Sequence, residues 1–206
     1  MTPATRTGNF QRLYEFASAQ AGYFTAAQAR ELGYSARSVV HHVGAGHFAR
    51  LGRGFYRLVG VPAGPYEDVV AAWLRFGSRN AVVSHETALE LYQLAPSRSR
   101  EIHLTVARED RPRSSTPKGL RLHTVTDRLR RKEVTTRFGV QLTSPARTIA
   151  DIADVAVDPD VVFEATARAL HSGLTTAAEL RGATARRSAR VRQLVGRAIR
   201  EARERA

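Results

Sequence analysis

The sequence predicts an α+β chain with an N-terminal winged helix-turn-helix over residues 1–62. A mixed α+β domain follows over 63–206 and ends in a basic amphipathic helix at about 183–206. Three observations predict this order. The run FTAAQARELGYSARSVVHHVGAGHFARLGRGFYRL, Phe24 to Leu58, places two short helix patterns and a glycine-tipped hairpin in succession. After Gly60 the turn-rich VPAGP breaks the chain, and beyond Ile102 the apolar spacing switches from helical to a period of two. Charge is also uneven: residues 1–60 carry net +5, residues 61–180 net +1 and residues 181–206 net +7.

The first helix is expected where Phe10, Leu13, Tyr14, Ala17 and Ala21 share one face, ending near Gly22. Thr25 then offers an N-cap hydroxyl to a second helix carrying Ala26, Ala29 and Leu32, and Gly33 supplies the left-handed residue that stops it. After the turn at Gly33 and Tyr34, Ser35 caps a third helix. Its apolar face reads as Ala36, Val39, Val40 and Val43, and its polar face as Arg37, Ser38, His41 and His42. A short cationic face beside a turn fits the recognition helix of this motif, whose N-terminal residues meet base edges in the major groove. Arg37 is the candidate for guanine, because a planar guanidinium can bond O6 and N7 together. The plainer reading is a solvated face on a small amphipathic helix.

Phe48 to Leu51 and Phe55 to Leu58 read as two strands joined by Gly52, Arg53 and Gly54. As a wing, that tip would present Arg53 to a minor groove, while Arg50 and Arg57 would touch phosphates and fix register. The alternative is an exposed turn. The tip lacks the spacing and the Lys-Ser/Thr pair of a phosphate loop.

In the second domain, Val69, Val70, Trp73, Leu74 and Phe76 define a helix over 66–76, and Ser84 caps another through Leu91. Strands are expected at Ile102–Leu104–Val106, at Leu120–Leu122–Val125, at Val134 and over 138–142. Ser144-Pro145 and Asp158-Pro159 start two further helices. At the end of the chain Val191, Leu194, Val195, Ala198, Ile199 and Ala202 form an apolar stripe amid Arg187, Arg190, Arg192, Arg197, Arg200, Arg203 and Arg205. Docking on the second domain is the default for such a stripe. Contact with DNA backbone, an acidic partner or a second copy are the other readings. The stripe is rich in Ala and has no Trp or Phe, which disfavours a membrane surface.

Composition narrows the function. The chain has 206 residues, no Cys, a net charge of +13 and a pI near 11.2. The charge points to a polyanionic partner, since counterion release drives binding to phosphate. Thirty of the thirty-two basic residues are Arg, a bias that a G·C-rich genome also produces. Without Cys there are no disulfides or thiolate metal sites. No apolar run suits a signal peptide or a membrane span, so a cytoplasmic protein that does not meet the membrane is expected.

The Phe24–Leu58 run, followed by AVVSHETALELYQL, IHLTV, GLRLHTV and GVQLTSPARTIADIA, resembles the AbiEi antitoxins and related transcriptional regulators of bacterial toxin-antitoxin systems. The resemblance extends to about Ala153. It implies a winged-helix DNA-binding domain fused to a larger antitoxin domain. It further implies autorepression through inverted repeats in double-stranded promoter DNA and a partner toxin of nucleotidyltransferase type. The family's recognition helix and wing fall on Ser35, Arg37, Ser38, His41, His42, Arg50, Arg53 and Arg57; no second-domain residue is assigned by it.

Enzyme readings are weaker. A similar TSPAR-containing module elsewhere precedes a restriction-endonuclease-like domain, but the chain has no Glu-x-Lys to hold a divalent metal and too few residues after Ala153 for that domain. His85, Glu86, His103 and His123 are metal-ligand types, although strand histidines more often serve as packing residues. Asp151, Asp154, Asp158 and Asp160 form an acidic cluster in which Asp158 is a helix cap and the others face solvent or pair with Arg147. No nucleophile elbow is present. The expectation is a non-enzyme without cofactor or metal: a DNA-binding antitoxin and autorepressor, or alternatively a module that binds a toxin directly with DNA binding secondary.

Overall fold

The computed structural model describes residues 3–77, 80–95, 99–113, 115–155 and 158–204. They group into two compact units, Met1–Arg79 with Phe138–Val140, and Asn80–Arg137 with Gln141–Ala206.

In the first unit, helix α1 (Pro3–Ser18) leads through strand β1 (Tyr23–Thr25) to helices α2 (Ala26–Glu31) and α3 (Ala36–Gly44). Strands β2 (Phe48–Gly52) and β3 (Phe55–Leu58) and helix α4 (Glu67–Gly77) follow. The sheet is antiparallel in the order β1-β3-β2, with Phe24 opposite Tyr56 and Phe48 opposite Leu58. Helix, strand, two helices and a hairpin returning onto the first strand make a winged helix-turn-helix. Its core gathers Leu13, Ala17, Phe24, Ala29, Tyr34, Val39, Phe48 and Leu58.

Three features of this unit differ from the sequence expectation. Strand β1 is only three residues long, too short to show a period, and its last residue Thr25 also caps α2. Helix α1 stops at Ser18, and Ala21 lies outside it with φ of +54°. Helix α4 lies against β1 and buries Val69, Val70, Trp73 and Leu74, so by compactness it groups with the first unit and the division falls at 79–80, not at 62–63.

The second unit holds strands β4 (Ala81–Val83), β5 (Ile102–Ala107), β6 (Leu120–Val125), β7 (Val134–Arg137) and β8 (Val140–Thr143) in the order β6-β5-β4-β8-β7. Strand β4 runs antiparallel to β5 and parallel to β8, and β5 runs parallel to β6. Helix α5 (His85–Leu91) follows β4; helices α6 (Pro145–Val155), α7 (Pro159–His171), α8 (Ala177–Thr184) and α9 (Ala189–Glu204) follow β8. Strand β5 is interior to the sheet, so its polar alternates His103 and Thr105 are buried along with Leu104 and Val106. The alternation therefore marks a strand, but not one with a wet face.

Asp158 caps α7 by accepting from Asp160 N at 3.0 Å, with Pro159 opening the helix. Ser84 sits at the N-cap position of α5 without a cap bond. Its Oγ is engaged instead by Thr105 Oγ1, which donates at 2.8 Å. The segment expected to begin a terminal helix near 183 ends a separate helix, α8, closed at its start by a capping box between Thr176 and Glu179. Helix α9 docks on α7, α8 and α6 through Val191, Val195, Ala198, Ile199 and Ala202; Arg205 lies outside the described residues.

Candidate nucleic-acid interface

The helix-turn-helix is built by local chemistry. Thr25 Oγ1 accepts from Gln28 N at 3.2 Å while Gln28 Oε1 accepts from Thr25 N at 2.8 Å, so two donors that would be orphaned at the start of α2 are satisfied reciprocally. Gly33 takes φ of +87° and turns the chain. Ser35 Oγ then accepts from Ser38 N at 3.1 Å and opens α3.

Of α3, Val39 is buried and Val43 packs on the core, four residues apart on one face. That line sets the rotation of the helix. At 100° per residue it turns Arg37, His41 and Gly44 outward and leaves Val40 on the flank; these four, and Ala36 at the first position of the helix, are exposed. Val40 is 67 % exposed and is therefore not a core residue, contrary to the expectation from its apolar character. A depression of about 440 Å³ opens beside the start of the helix, lined by Asn9, Tyr34, Ser35, Arg37, Ser38 and His41 among others.

His42 takes the opposite orientation. Its ring is half-buried and stacks on Phe48 at 4.8 Å, with Tyr34 at 5.6 Å and Phe10 at 5.8 Å, and its Nδ1 lies 3.1 Å from His47 Nδ1. Ser38 is half-buried and its amide serves the cap. The outward polar pair on α3 is thus Arg37 and His41, one turn apart, with Val40 between them. The spacing of Val39 and Val43 is the sequence signal that separates these faces, once Val40 is not forced into the same stripe.

The wing is short. Strands β2 and β3 close through Arg53 and Gly54, with a register shift between Arg50 and Gly52. Gly54 takes φ of +67°, whereas Gly52 does not need a positive φ. Gly54 O accepts from Ala26 N at 2.9 Å, which ties the wing to the start of α2. Arg53 and Arg50 are exposed, and Arg50 Nε donates weakly to Gly52 O at 3.4 Å. Both guanidinium groups are available to phosphate.

Arg57 is placed differently. Its Nη2 donates to Val61 O at 2.9 Å and lies 3.7 Å from Glu67 Oε2, its guanidinium covers the Tyr23 ring at 5.4 Å, and its Nε is buried without an acceptor. These internal contacts hold the end of β3 and leave the Arg57 side chain 23 % exposed, whereas Arg50 and Arg53 are exposed residues. Arg57 is thus separated from Arg50 and Arg53, with which the sequence grouped it.

In the second unit, His85, His103 and His123 do converge. The rings of His85 and His123 stack with centroids 3.4 Å apart, and His123 Nε2 lies 3.3 Å from His103 Nδ1. Stacked rings hold their nitrogens in parallel planes and do not aim them at a common point. Among the described residues no group of three His, Cys, Asp or Glu is arranged to hold a metal ion. Burial, then the neighbouring histidines and arginines, push His85 down to about 2; burial likewise pushes His103 and His123 down to about 4. The cluster is a neutral, packed group. His103 Nε2 is buried without a partner.

Close by in the same unit, Arg147 Nε donates to both oxygens of the buried Asp151 at 2.8 and 2.9 Å, and its Nη1 donates to Glu133 at 2.8 Å. Arg187 also donates to Asp151 and reaches Asp154 at 2.6 Å, while Arg190 donates to the carbonyls of Ala153 and Asp154 at 3.1 and 2.6 Å. Asp151 is buried and pairs with Arg147, as expected, and with Arg187 as well, whereas Asp154 is exposed and pairs with Arg187. They anchor the segment leading into α9, and part of the C-terminal positive charge is consumed internally.

Residues 11–59, about a quarter of the chain, match the family model described as "Transcriptional regulator, AbiEi antitoxin". No curated protein matches the chain. Among solved structures, the chain is similar to a crystal structure of the RV2827C protein from Mycobacterium tuberculosis. The TM-score is 0.54 and the identity 12 %, over 98 % of this chain and 78 % of that one. At that identity the likeness shows the fold alone. No helix among the described residues is long and apolar enough to cross a membrane. The match to the AbiEi antitoxin regulator model thus falls on the segment that forms the helix-turn-helix and wing.

Proposed function

We propose that the protein is a DNA-binding antitoxin that represses its own operon and counteracts a partner toxin of nucleotidyltransferase type. The observation that carries the reading is the outward face of α3. It presents Arg37 and His41 beside a short wing bearing Arg50 and Arg53, within the segment that matches the regulator family. A helix of this size enters the B-DNA major groove, and the wing arginines neutralise flanking phosphates. In this reading Arg37 contacts a base edge and Arg50 and Arg53 contact the backbone, whereas His42 and Arg57 support the domain from inside. The protein acts without catalysis, in the cytoplasm, and the second unit supplies the surface for the toxin.

The test is titration against its own promoter fragment and a scrambled fragment at two salt concentrations. Tighter binding to the promoter, falling steeply with salt, is expected. Equal affinity for the two fragments removes specific repression, and failure to bind at low salt removes the DNA reading. Co-expression with the adjacent reading frame tests the toxin assignment: rescue of growth by the full chain is expected, and growth arrest that the chain does not relieve overturns it.

A further inference from the structure

Helix α3 exposes a second, apolar line beside Arg37 and His41. Ala36, Val40 and Gly44 follow at intervals of four, all exposed, and a Cβ added at Gly44 would meet nothing within 4 Å. Small residues at both ends of the line allow a close approach to the helix, and Val40 is the group that projects between them. The residue is 67 % exposed and lies one turn from Arg37 and next to His41 in the helix.

Resting on the DNA-binding reading above, we infer that Val40 is a specificity-determining residue that packs on the 5-methyl group of a thymine, next to the base pair read by Arg37. The major groove shows a methyl group only at thymine in unmodified DNA, and an apolar side chain on a recognition helix is the complement of that group. Charge argues against a second copy as the occupant. Pairing two such faces would bring two Arg37 guanidinium groups into one small contact, whereas DNA supplies opposite charge on both sides of the groove. Val40 contributes little to the fold: valine is a poorer helix former than alanine, and this one has left the core.

The test uses a promoter fragment amplified in vitro, so that thymine is the sole source of 5-methyl groups, and the same fragment with uracil replacing thymine. Full-length wild-type protein and Val40→Ala are titrated against both. Wild type is expected to bind the uracil fragment about fourfold more weakly, the ratio that follows from loss of about 0.8 kcal/mol for one buried methyl-sized group. Val40→Ala is expected to bind the thymine fragment about fourfold more weakly than wild type and to be insensitive to uracil. Because Val40 is exposed and alanine favours helix, the variant retains the fold, which circular dichroism checks. Equal losses on uracil DNA in both proteins, or no loss in either, overturn the role of Val40 and leave DNA binding standing. Absence of binding by wild type to the thymine fragment at low salt removes the DNA reading itself, and the inference with it.

Discussion

Arg57 Nη2 donates to the carbonyl oxygen of Val61 at 2.9 Å, joining the end of β3 to the segment that follows it. The same guanidinium lies over Tyr23 and near Glu67, at 5.4 and 3.7 Å. Arg57→Ala is expected to destabilise the protein by about 1–3 kcal/mol, since it strands a carbonyl and removes the cover over an aromatic ring. Arg53→Ala, at an exposed tip, is expected to change stability by less than about 0.5 kcal/mol. Urea unfolding midpoints check both. An unchanged midpoint for Arg57→Ala, accompanied by lost DNA affinity, would return Arg57 to the phosphate-contacting set.

Arg37 and the wing arginines are expected to separate by what they discriminate. Arg37→Ala should lose about 1–3 kcal/mol of preference for the promoter over the scrambled fragment, the range for a bidentate contact to guanine. Arg50→Ala and Arg53→Ala should weaken both fragments alike and lower the slope of log affinity against log salt by about 1 each. If Arg37→Ala weakens both fragments equally, its contact is with the backbone.

Asp151 is the buried centre of an ion-pair network, and its removal leaves Arg147 and Arg187 short of their shared partner. Asp151→Asn preserves the shape and is expected to cost about 3 kcal/mol, toward the low end for breaking a buried pair because Glu133 and Asp154 remain. Asp154→Asn, at a carboxylate 40 % exposed, is expected to cost less than about 1 kcal/mol. Chemical denaturation of the two variants provides the comparison; similar losses would show that burial at Asp151 is not what matters.

The histidine cluster makes stability depend on pH in a stated direction. His85, His103 and His123 are held neutral to about 2, 4 and 4, whereas an unfolded histidine titrates near 6.5. A lowered folded-state value means the unfolded chain binds the extra protons. The contribution is therefore complete above about 6.5 and is lost as the pH falls toward 4. Urea midpoints at pH 7.5, 6 and 5 should decline in that order, and His85→Asn, which tolerates the φ of +52° at this position, should flatten the decline. A wild-type midpoint that is constant between pH 7.5 and 5 would contradict the cluster's neutral packing.

Much of the fold was legible because it rests on local chemistry. Thr25, Gly33 and Ser35 mark their boundaries through bonds to residues at most three positions away, or through a backbone angle that glycine adopts freely. The hairpin of β2 and β3, the alternation in β5 and the Pro-started helices α6 and α7 are legible for the same reason. Strand β4 is three apolar residues with no period of its own and exists through its pairing with β5 and β8.

The sequence by itself determined the order of elements in the winged helix-turn-helix, the excess of positive charge at both ends, and the exposure of Arg53 at a glycine-flanked turn. Tertiary structure decided which cations remain outward. Arg50 and Arg57 lie on adjacent strands with the same side-chain chemistry, yet Arg57 alone reaches Val61 and Glu67. It likewise left Val40 exposed and turned His42 inward, because packing of Val39 and Val43 on Phe48 and its neighbours fixes the rotation of α3. It also joined Asp151 to Arg187, thirty-six residues on. Caps and turns are set by neighbours along the chain, whereas the direction a side chain faces is set by what the rest of the domain leaves for it to touch.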